Sequence, residues 1–420
     1  MNVITALRSS DFLRNNTIFF AGSVLVGALN YLYYPLIGRL VSPAVFGEIQ
    51  TLVSLFLQFT IFLNVLGMIT VNIMANYADK EKAHRTIVEL EKFAAYLSLL
   101  LLAFSLVAGS ALQQALRFES SLPFTALALA LIVSIPLTFR SAYARSQRRF
   151  GVAISSQLIG AATKLAFSAG LVILGLGTFG AIGGIVVAQF IAFLYAARWA
   201  GRLGFLRPKN SNYASLPDIR MILPELKYAG LVFVGLLSIT LLMSIDIIII
   251  KYFFDAQTAG LYAGIATVAR IIFFLSAPIA QVLMPSIKIN QSSTENRRLL
   301  IKSLGLTLLV TSPVLIACIL FPNMVVSLLM GSTYDGYSHL LPLLATSIFL
   351  LSIMNLLGMY YLSLRTKAVA VIGCIGFLLT VAAMMSWHPS VDAVVWSLFF
   401  GSVATVLAGG LFSITNLRRI

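Results

Sequence analysis

The sequence predicts an all-α polytopic membrane protein, with twelve transmembrane helices in two six-helix lobes around a central cavity. Three observations predict it. Twelve apolar stretches are each long enough to cross a bilayer, at 17–38, 45–72, 93–116, 122–142, 152–174, 179–197, 228–250, 259–285, 300–321, 338–363, 368–386 and 393–415. A spanning helix needs about 20 mostly apolar residues, because it rises about 1.5 Å per residue through roughly 30 Å of hydrocarbon. Only 10% of the 420 residues are charged and 59% are hydrophobic, too little polar surface for a soluble globule of this length. Finally, 24 Lys and Arg fall in the tails, alternate loops and the span ends bordering them, against three (Arg39, Arg117 and Lys251) on the opposite side. Positive charge stays cytoplasmic, so both termini are expected inside. The same asymmetry accounts for the net charge of +15 without nucleic acid as a partner.

The elements follow in order. The first stretch succeeds a polar start of 16 residues carrying Arg8 and Arg14. It is too long for a signal-peptide core and lacks a small-residue cleavage site, so it is expected to remain as a helix. Segment 73–92, containing DKEKAHRTIVELEK, reads as a cytoplasmic surface helix. The longest connection, 198–227, is basic and broken by Pro208 and Pro217, and it falls midway along the chain. We therefore expect an N-terminal lobe over 1–200, a cytoplasmic linker over 201–227 and a C-terminal lobe over 228–420. Of the opposite loops the largest, 322–337, reads as a turn-rich connection. The glycines of GLGTFGAIGG (175–184) suit a tight turn and close packing of the sixth span; no phosphate loop surrounds them.

Internal repetition also points to two halves. The first and seventh spans each end on one basic residue, Arg39 or Lys251, followed by a polar turn and then Gly47 or Gly260. Parallel repeats are common in secondary transporters, with the path between the lobes. Shared apolar composition is the alternative explanation.

Four ionisable residues fall inside spans: Glu48, Lys164, Asp246 and Arg270. A Lys or Arg near the bilayer centre costs on the order of 2.5–3.5 kcal/mol, so it faces a partner or a wet cavity. Lys164 lies about 18 Å into the fifth span and Arg270 about 16 Å into the eighth, counting along the helical rise. One reading is a cationic cavity for an anionic ligand such as a pyrophosphate or acidic sugar, with Arg270 as a bidentate fork and Lys164 as a point charge. The other is structural pairing of Arg270 with Asp246, which requires a favourable stagger of the two helices. The cavity reading is preferred here. Glu48, only three residues into its span, reads as a helix N-terminal charge favoured by the macrodipole. Tyr31, Tyr33 and Tyr34 suit either sugar stacking or an interfacial belt. Arg140, Arg145, Arg148 and Arg149 suit either a lipid headgroup or orientation alone. Cys318 and Cys374 lie within spans and His84, His339 and His388 are scattered, so neither a disulfide, a metal site nor another cofactor is indicated.

Segment GRLVSPAVFGEIQTL (38–52) resembles the A-R-x-L-x-P-x-x-F-G junction of prokaryotic polysaccharide and O-antigen flippases, the Wzx-type branch of the MOP exporter superfamily. SIDIIIIKYFFDAQTAGLYAGIATVAR (244–270) is similar to a second conserved region of that family, and RSQRRFGVAISSQLIGAATKL (145–165) with the glycine-rich turn to its fourth-to-sixth spans. The chain departs from the pattern at Glu48, where an apolar residue is usual, and at Lys251 and Asp255, which replace glycines. The resemblance implies alternating-access translocation of an undecaprenyl-pyrophosphate-linked oligosaccharide across the cytoplasmic (inner) membrane. It implies Arg39, Lys164 and Arg270 as substrate contacts, Asp246 as the residue coupling to H+ or Na+, membrane lipids as surroundings and a polysaccharide polymerase as a partner. The competing readings are a multidrug antiporter, which would favour an acidic cavity, and a membrane-embedded glycan polymerase or ligase. The latter would need a sizeable outer loop that this chain lacks.

Overall fold

In the computed structural model, the described residues are all except 1–2, 78, 148, 203–215, 288–291, 365, 367 and 418–420. Arg148 and the middle of the 198–227 connection, with Pro208, therefore lie outside them. The described residues are helical and contain no strand. In chain order the helices are α1 (Val3–Leu40), α2 (Pro43–Asn76), α3 (Lys80–Val107), α4 (Gly109–Ala115), α5 (Leu122–Ser146), α6 (Phe150–Leu171), α7 (Gly177–Arg202) and α8 (Ile219–Leu242). They continue as α9 (Ile245–Phe253), α10 (Ala256–Ala269), α11 (Ile271–Ser286), α12 (Ser293–Leu320), α13 (Pro322–Leu329), α14 (Leu341–Ser363), α15 (Ala368–Ser386) and α16 (Val391–Leu417). Eight helical stretches are long and apolar enough to span, and two bent pairs, α8 with α9 and α10 with α11, raise the number to ten. One of the eight, Phe150–Arg202, contains two helices, α6 and α7. Helices suit this solvent because every interior backbone N–H and C=O is bonded within its own segment. Side-chain hydroxyls follow the same rule: Thr51, Thr70 and Thr267 donate to the carbonyls four residues earlier.

The chain forms two compact units. The first comprises residues 1–33, 62–109 and 122–229, and the second comprises 34–61, 110–121 and 230–420, so the boundary cuts α1, α2 and α8 internally.

In the first unit α7 packs against both α5 and α6. Its sequence shows why. Gly180, Gly184, Ala188, Ala192, Ala196 and Ala200 recur every fourth residue and are all buried, a ridge of small side chains that lets backbones approach closely. A Cβ on Gly184 would stand 2.4 Å from the Ser168 backbone nitrogen of α6. The α6–α7 turn runs through a π-helical stretch, Val172–Leu176. Gly175 (φ 84°) and Gly177 (φ 47°) there take backbone angles that residues with a Cβ seldom adopt. The segment read as a separate surface helix is instead continuous with the third span: α3 starts at Lys80, capped by the Asp79 carboxylate, which accepts from the N–H groups of Glu81 and Lys82. Arg140 of α5, read as an orientation or lipid-binding charge, pairs with the buried Glu91 of α3.

In the second unit α14 is the central rod, packed against α11, α12 and α16, with Met354, Leu356, Leu357, Tyr360 and Tyr361 in one apolar cluster with Ile279 and Leu283. Connection 322–337 is more ordered than its turn-rich sequence suggests, holding α13 and a 3-10 helix, Ser332–Leu340. Pro322 at the first helical position and Gly331 (φ 97°) after the last turn set the ends of α13. Backbones approach closely at Gly260: a Cβ there would lie 1.8 Å from the Pro43 carbonyl oxygen.

Candidate functional site

Two broken spans of the second unit meet at Arg270. α8 and α9 bend by 51° across Met243 and Ser244, and α10 and α11 bend by 43° at Arg270 itself. Ser244 (φ −145°, ψ −9°) interrupts the first helix without proline or glycine. A break in an apolar span exposes backbone polar groups that something nearby must satisfy. Here the Arg270 Nε donates to the Met243 carbonyl at 2.8 Å.

The same guanidinium donates through Nη2 to Asp246 Oδ1 at 2.8 Å, and the Tyr262 hydroxyl donates to the other carboxylate oxygen at 2.5 Å. Asp246 stands in the first turn of α9, where the helix macrodipole favours a negative charge. It is 1% exposed, Tyr262 is fully buried, and the Arg270 side chain retains 14% exposure. The stagger that pairing demands is supplied by the two breaks. A guanidinium has five N–H donors, and Arg270 uses two of them toward the described residues. Three therefore remain uncommitted among the described residues on a planar, partly exposed guanidinium, a group suited to phosphate or carboxylate oxygens.

Lys164 belongs to the first unit. From α6 its Nζ donates to Asn30 Oδ1 at 2.6 Å and stands 4.5 Å from the Tyr33 ring centroid. An amide oxygen and an aromatic face both favour a cation. Tyr33 thus lies buried beneath an ammonium. Arg39, at the end of α1, is exposed and donates to the Leu328 carbonyl in the last turn of α13, a C-terminal cap of the kind basic side chains provide.

Two charges that the sequence put near a membrane face are buried in the second unit. Glu48 is 4% exposed and accepts from the Glu119 N–H at 2.7 Å. Lys251, read as an outer-loop residue, closes α9 with 1% exposure, its ammonium 5.2 Å from the Phe118 ring centroid. The one signal for it in the sequence was a lysine standing where the resembled family carries glycine. Among the described residues, no group of three or more His, Cys, Asp or Glu could hold a metal.

Residues 12–291 match the family described as polysaccharide biosynthesis protein, a stretch that includes every charge named above. The chain belongs to that family. Among solved structures, this polysaccharide biosynthesis protein is similar to an inward-facing multidrug-resistance MATE transporter of the MOP superfamily (TM-score 0.73, 12% identity, covering 94% of this chain and 95% of that one). It is similar also to the lipid II flippase MurJ in an inward closed conformation (TM-score 0.74, 13% identity, 95% and 87% covered). The MATE multidrug transporter DinF-BH is a third (TM-score 0.70, 13% identity, 94% and 93% covered). At these identities the likeness concerns the fold, which is that of the MOP-superfamily transporters. No curated protein sequence matches significantly.

Proposed function

We propose that this protein is a flippase, not an enzyme, that carries a lipid-linked oligosaccharide with an anionic diphosphate headgroup across the cytoplasmic membrane of a prokaryote, with both termini in the cytoplasm. The observation that carries the reading is Arg270: a guanidinium deep in an apolar span, with three N–H donors uncommitted among the described residues, in a member of a polysaccharide biosynthesis family. Deep intramembrane cations are costly and mark ligand pathways. Lys164 is a second contact for the same class of ligand, within its own unit. A MATE-like export of organic cations fits the fold equally well. A basic fork repels such substrates, which supports the flippase reading.

The Arg270–Asp246 pair supplies a coupling step. A diphosphate that engages the guanidinium competes with Asp246 for it. Asp246, left with Tyr262 in a low-dielectric surrounding, then takes up a cation, H+ or Na+, to offset its charge. Binding of anion and cation are thereby linked through one carboxylate.

The test is complementation of a strain lacking this gene, read as surface polysaccharide. Lys164→Ala is expected to lower it at least tenfold with protein still in the membrane; wild-type levels would remove Lys164 from the path. Asp246→Asn is expected to make transport insensitive to collapse of the proton or sodium gradient. An unchanged gradient response would remove Asp246 from coupling.

A further inference from the structure

The second unit contains a buried ionisable group that the headgroup site does not use. Lys251 ends α9 with a side chain 1% exposed, and its Nζ has no hydrogen-bond acceptor among the described residues. An ammonium in that position would ordinarily be bonded through all three donors. Its surroundings come from three stretches of chain. Phe118, from the connection after α4, presents its ring 5.2 Å away. Glu48, from the second turn of α2, is also buried and accepts from the Glu119 N–H of that same connection, next to Phe118. The charges acting on Lys251 are those of Glu48, Glu119 and Asp255, opposed by Arg117. Two residues further along α9, Phe253 stacks on His388 at 3.8 Å between centroids.

This arrangement disfavours an anionic ligand, because the carboxylates of Glu48, Glu119 and Asp255 outweigh Arg117 in the charge acting on the amine. It disfavours a metal ion as well, because an ammonium repels one. The remaining ligand that suits an enclosed amine facing carboxylates is the proton. We propose that Lys251 is a proton-binding site, with Glu48 as its fixed counter-charge. Uptake forms an N–H bond at Nζ and raises the charge of the pocket by one; release to water reverses both. The charged form attracts the Phe118 ring and the carboxylates. The neutral form loses these attractions, so the proton governs how firmly segment 110–121 is held within the unit. As a step in transport this rests on the flippase reading. Proton binding itself does not, and it is measured without substrate, so failure of one leaves the other standing.

The experiment compares melting temperatures of the purified full-length protein from about pH 6 to pH 11, a range that covers the titration of a lysine amine, for wild type, Lys251→Met and Lys251→Arg. Other groups titrate alike in all three and cancel in the differences. The expected result is a wild-type-minus-Met difference that changes by about 3 °C or more across the range. Arginine stays charged throughout, so Lys251→Arg is expected to lose the same transition, and it decides alone where the Met variant does not insert. Differences that stay flat with pH for both variants, or a wild type whose melting is itself flat, overturn the proposal.

Discussion

Arg270→Ala is expected to abolish surface polysaccharide in the complementation assay and to weaken the folded protein. The two effects have different causes and are separable. Removing the guanidinium leaves Asp246, 1% exposed, with the Tyr262 hydroxyl as its remaining described partner. An uncompensated buried charge of that kind costs about 3–5 kcal/mol, enough to lower the melting temperature by several degrees. The double variant Arg270→Ala with Asp246→Asn removes the orphaned charge as well, and its melting temperature is expected to recover most of the loss. Transport is not expected to recover, because an amide offers no cationic fork to a diphosphate. Full transport in the double variant would mean that Arg270 serves only to neutralise Asp246, and the headgroup reading would fall.

Gly260→Ala should be the most damaging single-methyl change in the second unit. Its Cβ would lie 1.8 Å from the Pro43 carbonyl oxygen and 2.2 Å from the carbonyl carbon, both backbone atoms that no rotamer can move aside. Overpacking costs typically about 1–3 kcal/mol where side chains give way; here the helix start at Pro43 must shift, so about 3 kcal/mol or more is expected. Membrane-extracted protein should fall severalfold, or melt well below wild type. Gly305→Ala is the matched control, since nothing lies within 4 Å of its added Cβ. Equal stability of the two variants would refute the close contact between the starts of α2 and α10.

Much of this was readable from residue order. A crossing helix announces itself by its length of apolar residues, because the bilayer sets that length, and charges at depth stand out because hydrocarbon penalises them. Gly175 and Gly177 were legible as a turn for a similar reason: few residues tolerate their backbone angles. Placement of the charges was not legible. The breaks at Ser244 and Arg270 occur in SIDIIII and TVARII, which contain neither proline nor glycine, so nothing local marks the bends that bring Asp246 to the guanidinium. Lys251 follows the apolar run by one residue, and hydropathy treats such a position as solvent. The Phe118 ring beside its ammonium comes from more than a hundred positions earlier in the chain, and periodicity carries no information about such a partner.

The small-residue ridge of α7 carries a mechanical consequence. Six buried small residues about one turn apart keep that rod close to its neighbours along much of its length, so bending it alone would disturb packing at several levels at once. Whatever strain the first unit experiences during a working cycle must be carried by the slab as a whole and relieved at its rims, at places such as the hairpin bend of Gly175 and Gly177, where side chains are few and the backbone is already far from helical.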